Sequence, residues 1–540
     1  MMRGILSSVF RGPLRVLGRS FVVIAACLGA VTPGFAQGPV SDINSRYAVM
    51  APERRSERIL LPALASFEAA PIGADRLDSA RLLPFGSPGW DAAERWTTAA
   101  PQVAVLDALK QVTEQRRYEQ AMVFAQPYGV ANLSPDTIET GLYTDLGDPP
   151  LLAAAEHLYL PALDRLQLLV HVEATRLVGA GEPAEAVDLL LRLAAFGRQM
   201  ADRAMMREAD WGYEAMVDAL RRVRDVVYLD FLGERLMAPD DIRDTVDRLD
   251  PEEFIAYSRL GFPTGNQLAA RQLIDRVYAE RGGVNEPVFL STMIRLSGGG
   301  KPLWRFAEAS RWAGVADGQV DWFRINEVLT EVYSGWTGRW NLDPFDPVLQ
   351  LPFAIETVQN PESIVAVLAP MTFETSDGRE MSGSEIFELR TLLDVERIGT
   401  RQALGVVGQY YEHNLYPPTL SSIRPRWVRR IESDPYNTNR RIAAATPPLT
   451  FFVPVRDDYV ANANEDREPH RMQVFPGDGS NFGVTLFADQ FVLYSAGRNG
   501  AKDFAERVSQ DRNALLGDYL IWPPVLGLHR LHLQDLGEFD

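Results

Sequence analysis

Apolar positions recur at helical spacing over most of the chain and at alternating spacing near its end. Val103, Leu106, Leu109 and Val112 return every three residues and predict a helix soon after Trp90. Ser134-Pro135-Asp136 reads as an N-cap followed by proline at the first helical position. The clearest helical stretch is 151 to 280, where Leu163, Leu166, Val170 and Ala174 share one face until Gly179-Ala180-Gly181 breaks the run. Glu182-Pro183-Ala184-Glu185-Ala186 then leads into Leu190, Leu193 and Ala194. Asp250-Pro251-Glu252-Glu253 predicts another helix, with Asp250 as cap and Glu253 reaching back to it. Upstream of all this, residues 37 to 90 are rich in Pro, Gly and Arg around short apolar pieces such as Ile59-Leu60-Leu61, and read as an irregular leader.

Residues 281 to 380 mix helix with breaks such as Ser297-Gly298-Gly299-Gly300 and Asp343-Pro344-Phe345-Asp346-Pro347. Trp304, Trp312, Trp322, Trp336 and Trp340 fall here; they suit either the filling of a junction between helical layers or a platform that stacks on sugar rings. Ser382-Gly383-Ser384-Glu385 has capping-box spacing and opens a long helix to about Glu412, with Ile386, Leu389, Leu393 and Ile398 on one face. The period then alternates in Thr450–Val455, Gly483–Phe487 and Gln490–Tyr494, which predict strands. The expected fold is α+β and mostly α: a body of helical hairpins over 91–380, then a long helix packed on a small antiparallel sheet over 381–540.

Composition narrows the classes. In 540 residues, 46% hydrophobic and 23% charged, a sizeable core can form, and disordered, collagen-like and multi-span membrane classes are disfavoured. The charge of −18 repels phosphate backbones, so nucleic acid is not an expected partner. Arg3, Arg11, Arg15 and Arg19 precede the apolar run Phe21–Val31 and the small-residue site Gly34-Phe35-Ala36, the pattern of a secretory signal over 1–36 cleaved after Ala36. That run is too short to span a bilayer, which takes about 20 residues. Cleavage would leave 50 basic against 72 acidic residues, or −22, and would remove Cys27, the only cysteine. Disulfides and thiol chemistry are then excluded. Ile24-Ala25-Ala26-Cys27 also fits a lipobox, in which Cys27 carries a lipid anchor; both readings export the protein to the periplasm or beyond.

The pair of helices on either side of Gly179-Ala180-Gly181 resembles one tetratricopeptide-like hairpin, without a repeating period of about 34 residues. Arg401 to Tyr436, with Tyr410-Tyr411-Glu412-His413, Tyr416-Pro417, Leu420, Pro425 and Asp434-Pro435, resembles the helix-to-loop segment of type II secretion pseudopilins. So do Leu493–Gly500 and Gly517–Pro524. The upstream region, with Gly181, Glu185-Ala186, Gln272–Asp275 and Val320–Asn326, is similar to a large group of exported bacterial proteins of planctomycete type that end in such a module and have no assigned activity. The resemblance implies a sheet strand, a glycine turn and an acidic closing loop able to hold calcium, with Asn499, Asp503 and Asp518 as the corresponding positions. Here the turn's aspartate is Asn499 and the paired acids are Gly517-Asp518, a thin donor set for an ion that takes six to eight oxygens. No leader runs directly into the helix after Ser382, so assembly into a pseudopilus is not expected.

No reaction is legible. The six histidines, His157, His171, His413, His470, His529 and His532, form no zinc-protease pair. Gly298-Gly299-Gly300-Lys301 fails as a phosphate loop, since Arg295 replaces the first glycine and Pro302 the metal-binding hydroxyl residue. There is no Gly-x-Ser-x-Gly elbow. Acid pairs such as Asp240-Asp241 and Asp457-Asp458 need no catalytic role in so acidic a chain. The expected function is a non-enzymatic scaffold or interaction protein of the cell envelope with a protein or peptide partner. The alternative is an exported hydrolase of glycan or peptide with its site in the Trp-rich 304–340 region.

Overall fold

Three short helices, α1 (Gly38–Ala48), α2 (Glu57–Ala65) and α3 (Leu77–Leu82), occupy the segment expected to be irregular. The computed structural model describes residues 38–131, 133–253, 259–279, 282–296, 319–342, 346–350, 373–374, 380–381, 383–436, 448–457, 468–500, 503–510 and 517–539. The signal segment with Cys27, the Gly298–Lys301 stretch, Trp304, Trp312 and Ser382 lie outside these. Pro and Gly in the early segment punctuate short helices rather than replace them. Helices this short are held by burial and not by propensity: Ile43, Leu60 and Leu64 are buried, and Arg54 and Ser56 exchange backbone hydrogen bonds with Val123.

The helices α4 (Trp90–Thr97) and α5 (Ala100–Val112) follow. On α5, Leu106, Leu109 and Val112 are buried but Val103 is exposed. A three-residue step falls 60° short of a full turn, so Val103 ends up opposite Val112. Ser134 caps the short α6 (Pro135–Glu139) by accepting from the Thr137 N–H at 3.3 Å. A two-stranded antiparallel pair, β1 (Thr144–Asp145) and β2 (Glu156–His157), precedes α7 (Leu160–Gly179). Gly181, at φ +79°, turns the chain into α8 (Pro183–Ala201), which packs on the 27-residue α9 (Met206–Leu232).

The α8–α9 crossing depends on two glycines. A Cβ on Gly212 would lie 2.5 Å from the Gly197 carbonyl oxygen and 2.5 Å from the Ala201 nitrogen. Both are backbone atoms that cannot swing aside, so Gly212→Ala should cost about 1–3 kcal/mol, read as a lower urea midpoint with an unchanged slope.

After α10 (Pro239–Arg248), the expected helix at Asp250 does not start within 250–253. Asp250 instead closes a local turn onto the Glu252 N–H and binds Arg401 at 2.6 Å. Next come α11 (Gly265–Val277), α12 (Glu286–Leu296), α13 (Trp322–Trp340) and a small pair, β3 (Phe373–Glu374) with β4 (Glu380–Met381). The long helix α14 (Gly383–His413) has 31 residues. Its single apolar stripe widens to burial on every side from Val395 to Gly408, where Gly399 meets Ile521 and Gly408 meets Trp427.

The sheet is mixed, not purely antiparallel: β5 (Thr450–Phe452), β8 (Val492–Ser495), β10 (Asp518–Trp522), β9 (Arg507–Ser509), β6 (His470–Phe475) and β7 (Phe482–Leu486) stand in that spatial order. The three-residue β9 pairs in parallel with both β10 and β6, too short a strand for its alternation to be read. Every residue of β10 is buried, so this strand carries no polar alternation either. The last helix, α15 (Val525–Asp535), returns to α9 and α3. The helix α14 packs on α9, α10 and the sheet alike. Among the described residues, no helix is long and apolar enough to cross a membrane.

Candidate functional site

The positions suggested for calcium are dissimilar. Asn499 is exposed in the turn after β8, Asp503 is half-buried, and Asp518 is fully buried at the start of β10. The residues expected in an acidic closing loop are thus a strand in the middle of the sheet. The Asp518 carboxylate accepts from the Ala505 N–H at 2.8 Å, and Phe504 and Ala505 are both left-handed, at φ 51° and 57°. Asp518 thereby holds a turn that non-glycine residues rarely adopt. Among the described residues, no group of three or more His, Cys, Asp or Glu side chains is placed to hold a metal. On this geometry, Asp518→Ala should lower stability by about 1–3 kcal/mol, the cost of an orphaned buried N–H. A chelator should leave the melting midpoint of the wild type unchanged.

Of the described tryptophans of the 304–340 region, Trp336 and Trp340 fill a junction, while Trp322 is only half-buried. Trp340 packs against Tyr213, Phe262 and Phe387, with Arg390 4.6 Å above its ring and its own N–H donated to the Leu260 carbonyl at 2.9 Å. Trp336 lies against Phe387, and Trp322 donates to Asp275 at 3.0 Å. Of the histidines, His413 is exposed, His470 donates to the Ala505 carbonyl, and His529 and His532 stack on Phe482.

The concentrated chemistry lies elsewhere, in carboxylates buried among arginines. Glu208, in the first turn of α9, accepts from Tyr128 at 2.5 Å, from Tyr159, and from the Arg203 Nε at 2.8 Å. The His157 Nδ1 stands 3.7 Å away and shares a hydrogen bond with Thr144. Arg203 in turn lies over the rings of Tyr47 and Tyr128 at 4.3 and 4.6 Å. Burial pushes the Glu208 carboxyl up, but Arg203, His157 and the two tyrosine hydroxyls outweigh it and hold it below the usual carboxylate range. Burial pushes His157 down to about 4, so it is neutral at pH 7.

Three further clusters repeat the arrangement. Asp225 accepts from Arg222 and from both terminal nitrogens of Arg530, Nη1 at 2.9 Å and Nη2 at 2.7 Å, which fastens α15 to α9. His171 is buried nearby with neither ring nitrogen hydrogen-bonded to a described residue. Glu396 on α14 binds Arg221 at 2.9 Å, Arg224, and the hydroxyl of Tyr519 on β10. Glu432 binds Arg397 at 2.6 Å and Arg401 at 2.9 Å. Asp225, Glu396 and Glu432 are all held below the ordinary carboxylate range; burial opposes this, and the facing arginines outweigh it.

Sequence reading missed these groups. Their one local sign is charge inside apolar helical stretches, as with Arg221, Arg222, Arg224 and Asp225 amid Ala219–Val227. Arg203 and Arg222 lie within five residues of their carboxylates, but the other partners arrive from 31 to 305 residues away, beyond any periodicity. Compared with known proteins, the chain matches no family model, no curated protein and no solved structure.

The clusters set an acid profile. A carboxylate with a depressed folded pKa contributes fully above its unfolded value, about 4, and loses that contribution as pH falls through the folded value. His157, at about 4 folded against 6.5 unfolded, favours folding fully above 6.5 and loses that contribution between 6.5 and 4. Urea midpoints should therefore decline from pH 6.5 to 4 and then fall more steeply. His171 and His529, also pushed down by burial, act over the same range, so His157→Gln should reduce the slope of the upper stage without abolishing it; an unaltered slope there would count against the assignment.

Proposed function

We propose that this chain is an exported, non-enzymatic scaffold or interaction protein of the cell envelope. One observation carries the reading: the carboxylates Glu208, Asp225 and Glu396 are fully buried and engaged with arginine, and two of them also with tyrosine, across separate elements. Their chemistry joins α9 to α14, α15 and the sheet. Within the proposal, α7 and α8 are a tetratricopeptide-like hairpin and α14 with the sheet a pseudopilin-like module. The basic, apolar and small-residue order of residues 1–36 supports export. The test is affinity capture from native envelope with cross-linking and mass spectrometry. The reading expects the same protein partner in replicate captures, and replicate captures without one would overturn it.

A further inference from the structure

In an acidic chain, four of the seven residues from Arg424 to Arg430 are arginine. The loop is anchored from below: Trp427 and Val428 are buried, and the Trp427 ring fills the notch that Gly408 leaves on α14. Arg424, Arg426, Arg429 and Arg430 point outward. Arg426 is neutralised by Glu412, which also takes Arg243 at 3.3 Å. Arg424 uses its Nε on the Arg429 carbonyl at 3.1 Å, which stiffens the loop and leaves the rest of its guanidinium outward. Arg424, Arg429 and Arg430 make no ion pair with any described residue. Leu415, 71% exposed, follows Glu412, the partner of Arg426, by three residues, which keeps their Cα atoms within about 11 Å of each other.

We infer that the Arg424–Arg430 loop, with Leu415 beside it, is a docking face for an anionic lipid surface. Guanidinium pairs with phosphate oxygens two at a time, and an apolar side chain next to it can enter the headgroup boundary. The rest of the chain is acidic and is repelled by such a surface, so contact at this loop also sets the orientation of the body. An acidic polypeptide would satisfy the arginines but leave Leu415 without a role. The inference rests on the envelope reading only for where such a surface is met; purified protein and vesicles test the loop by itself.

The experiment is sedimentation at low salt with vesicles of equal parts phosphatidylglycerol and phosphatidylcholine, against phosphatidylcholine alone. Binding is expected to the anionic vesicles only and to fall with added salt. Arg424→Gln, Arg429→Gln and Arg430→Gln together should lower the partition coefficient by roughly a hundredfold, at about a fivefold loss per arginine. Leu415→Ser should lower it by a smaller factor. A control with the same charge change, Arg46→Gln, Arg58→Gln and Arg76→Gln, should bind as wild type. All of these residues are exposed, and melting curves verify that the variants fold. Equal losses in the two triple variants would overturn the inference. So would absent vesicle binding, or capture by immobilised polyglutamate that is indifferent to Leu415→Ser.

Discussion

Glu208→Ala should destabilise the protein by about 3–5 kcal/mol, the cost of leaving one member of a buried ion pair without its partner. The magnitude follows from what remains. Arg203 is fully buried, and its principal anionic partner is Glu208; the carbonyl of Phe124 at 3.3 Å and the faces of Tyr47 and Tyr128 do not replace a carboxylate. Tyr128 and Tyr159 also lose their acceptor in the same step. Glu208→Gln keeps an acceptor oxygen and should cost less, so the urea midpoints should rank wild type, Gln, Ala. If alanine and glutamine fell together within error, the tyrosine hydrogen bonds would carry none of the effect.

Glu396→Ala should cost a similar 3–5 kcal/mol, and should act on more than one element. Its carboxylate sits on α14 yet is held by Arg221 and Arg224 from α9 and by Tyr519 from β10. Removing it leaves Arg224 fully buried with only the Thr400 hydroxyl and the residue 396 carbonyl, and takes from Arg221 its nearest carboxylate. Glu396→Leu with Arg224→Met should recover much of the loss, since replacing a buried pair by apolar residues of similar volume is often neutral. A double variant no more stable than Glu396→Ala would mean that packing around Gly399 and Ile521, and not charge, sets the cost.

Local order was legible in the sequence where periodicity was long. The α7–α8 hairpin, α14 and the strands at 450, 483 and 492 follow from spacing, caps and turn residues. The early helices were hidden because Pro52 and Pro62 resemble breakers when nothing indicates what buries Leu60 and Leu64. The strand β10 was hidden for the opposite reason: buried on both faces, Asp518–Trp522 has no alternation. The carboxylate clusters were hidden because most of their partners meet only through the tertiary fold. Tyr128, Tyr159, Arg203 and Glu208 share no spacing that would have joined them.

The central claim is that buried carboxylate–arginine clusters join the helical body and the C-terminal sheet into one cooperative unit. Hydrogen–deuterium exchange in increasing urea tests it most directly, followed peptide by peptide across α9, α14 and β10. All three elements should lose protection at one urea concentration, and Glu396→Ala should shift that concentration downward for all three together. Loss of protection in β10 and α14 at a urea concentration where α9 stays protected would contradict the account.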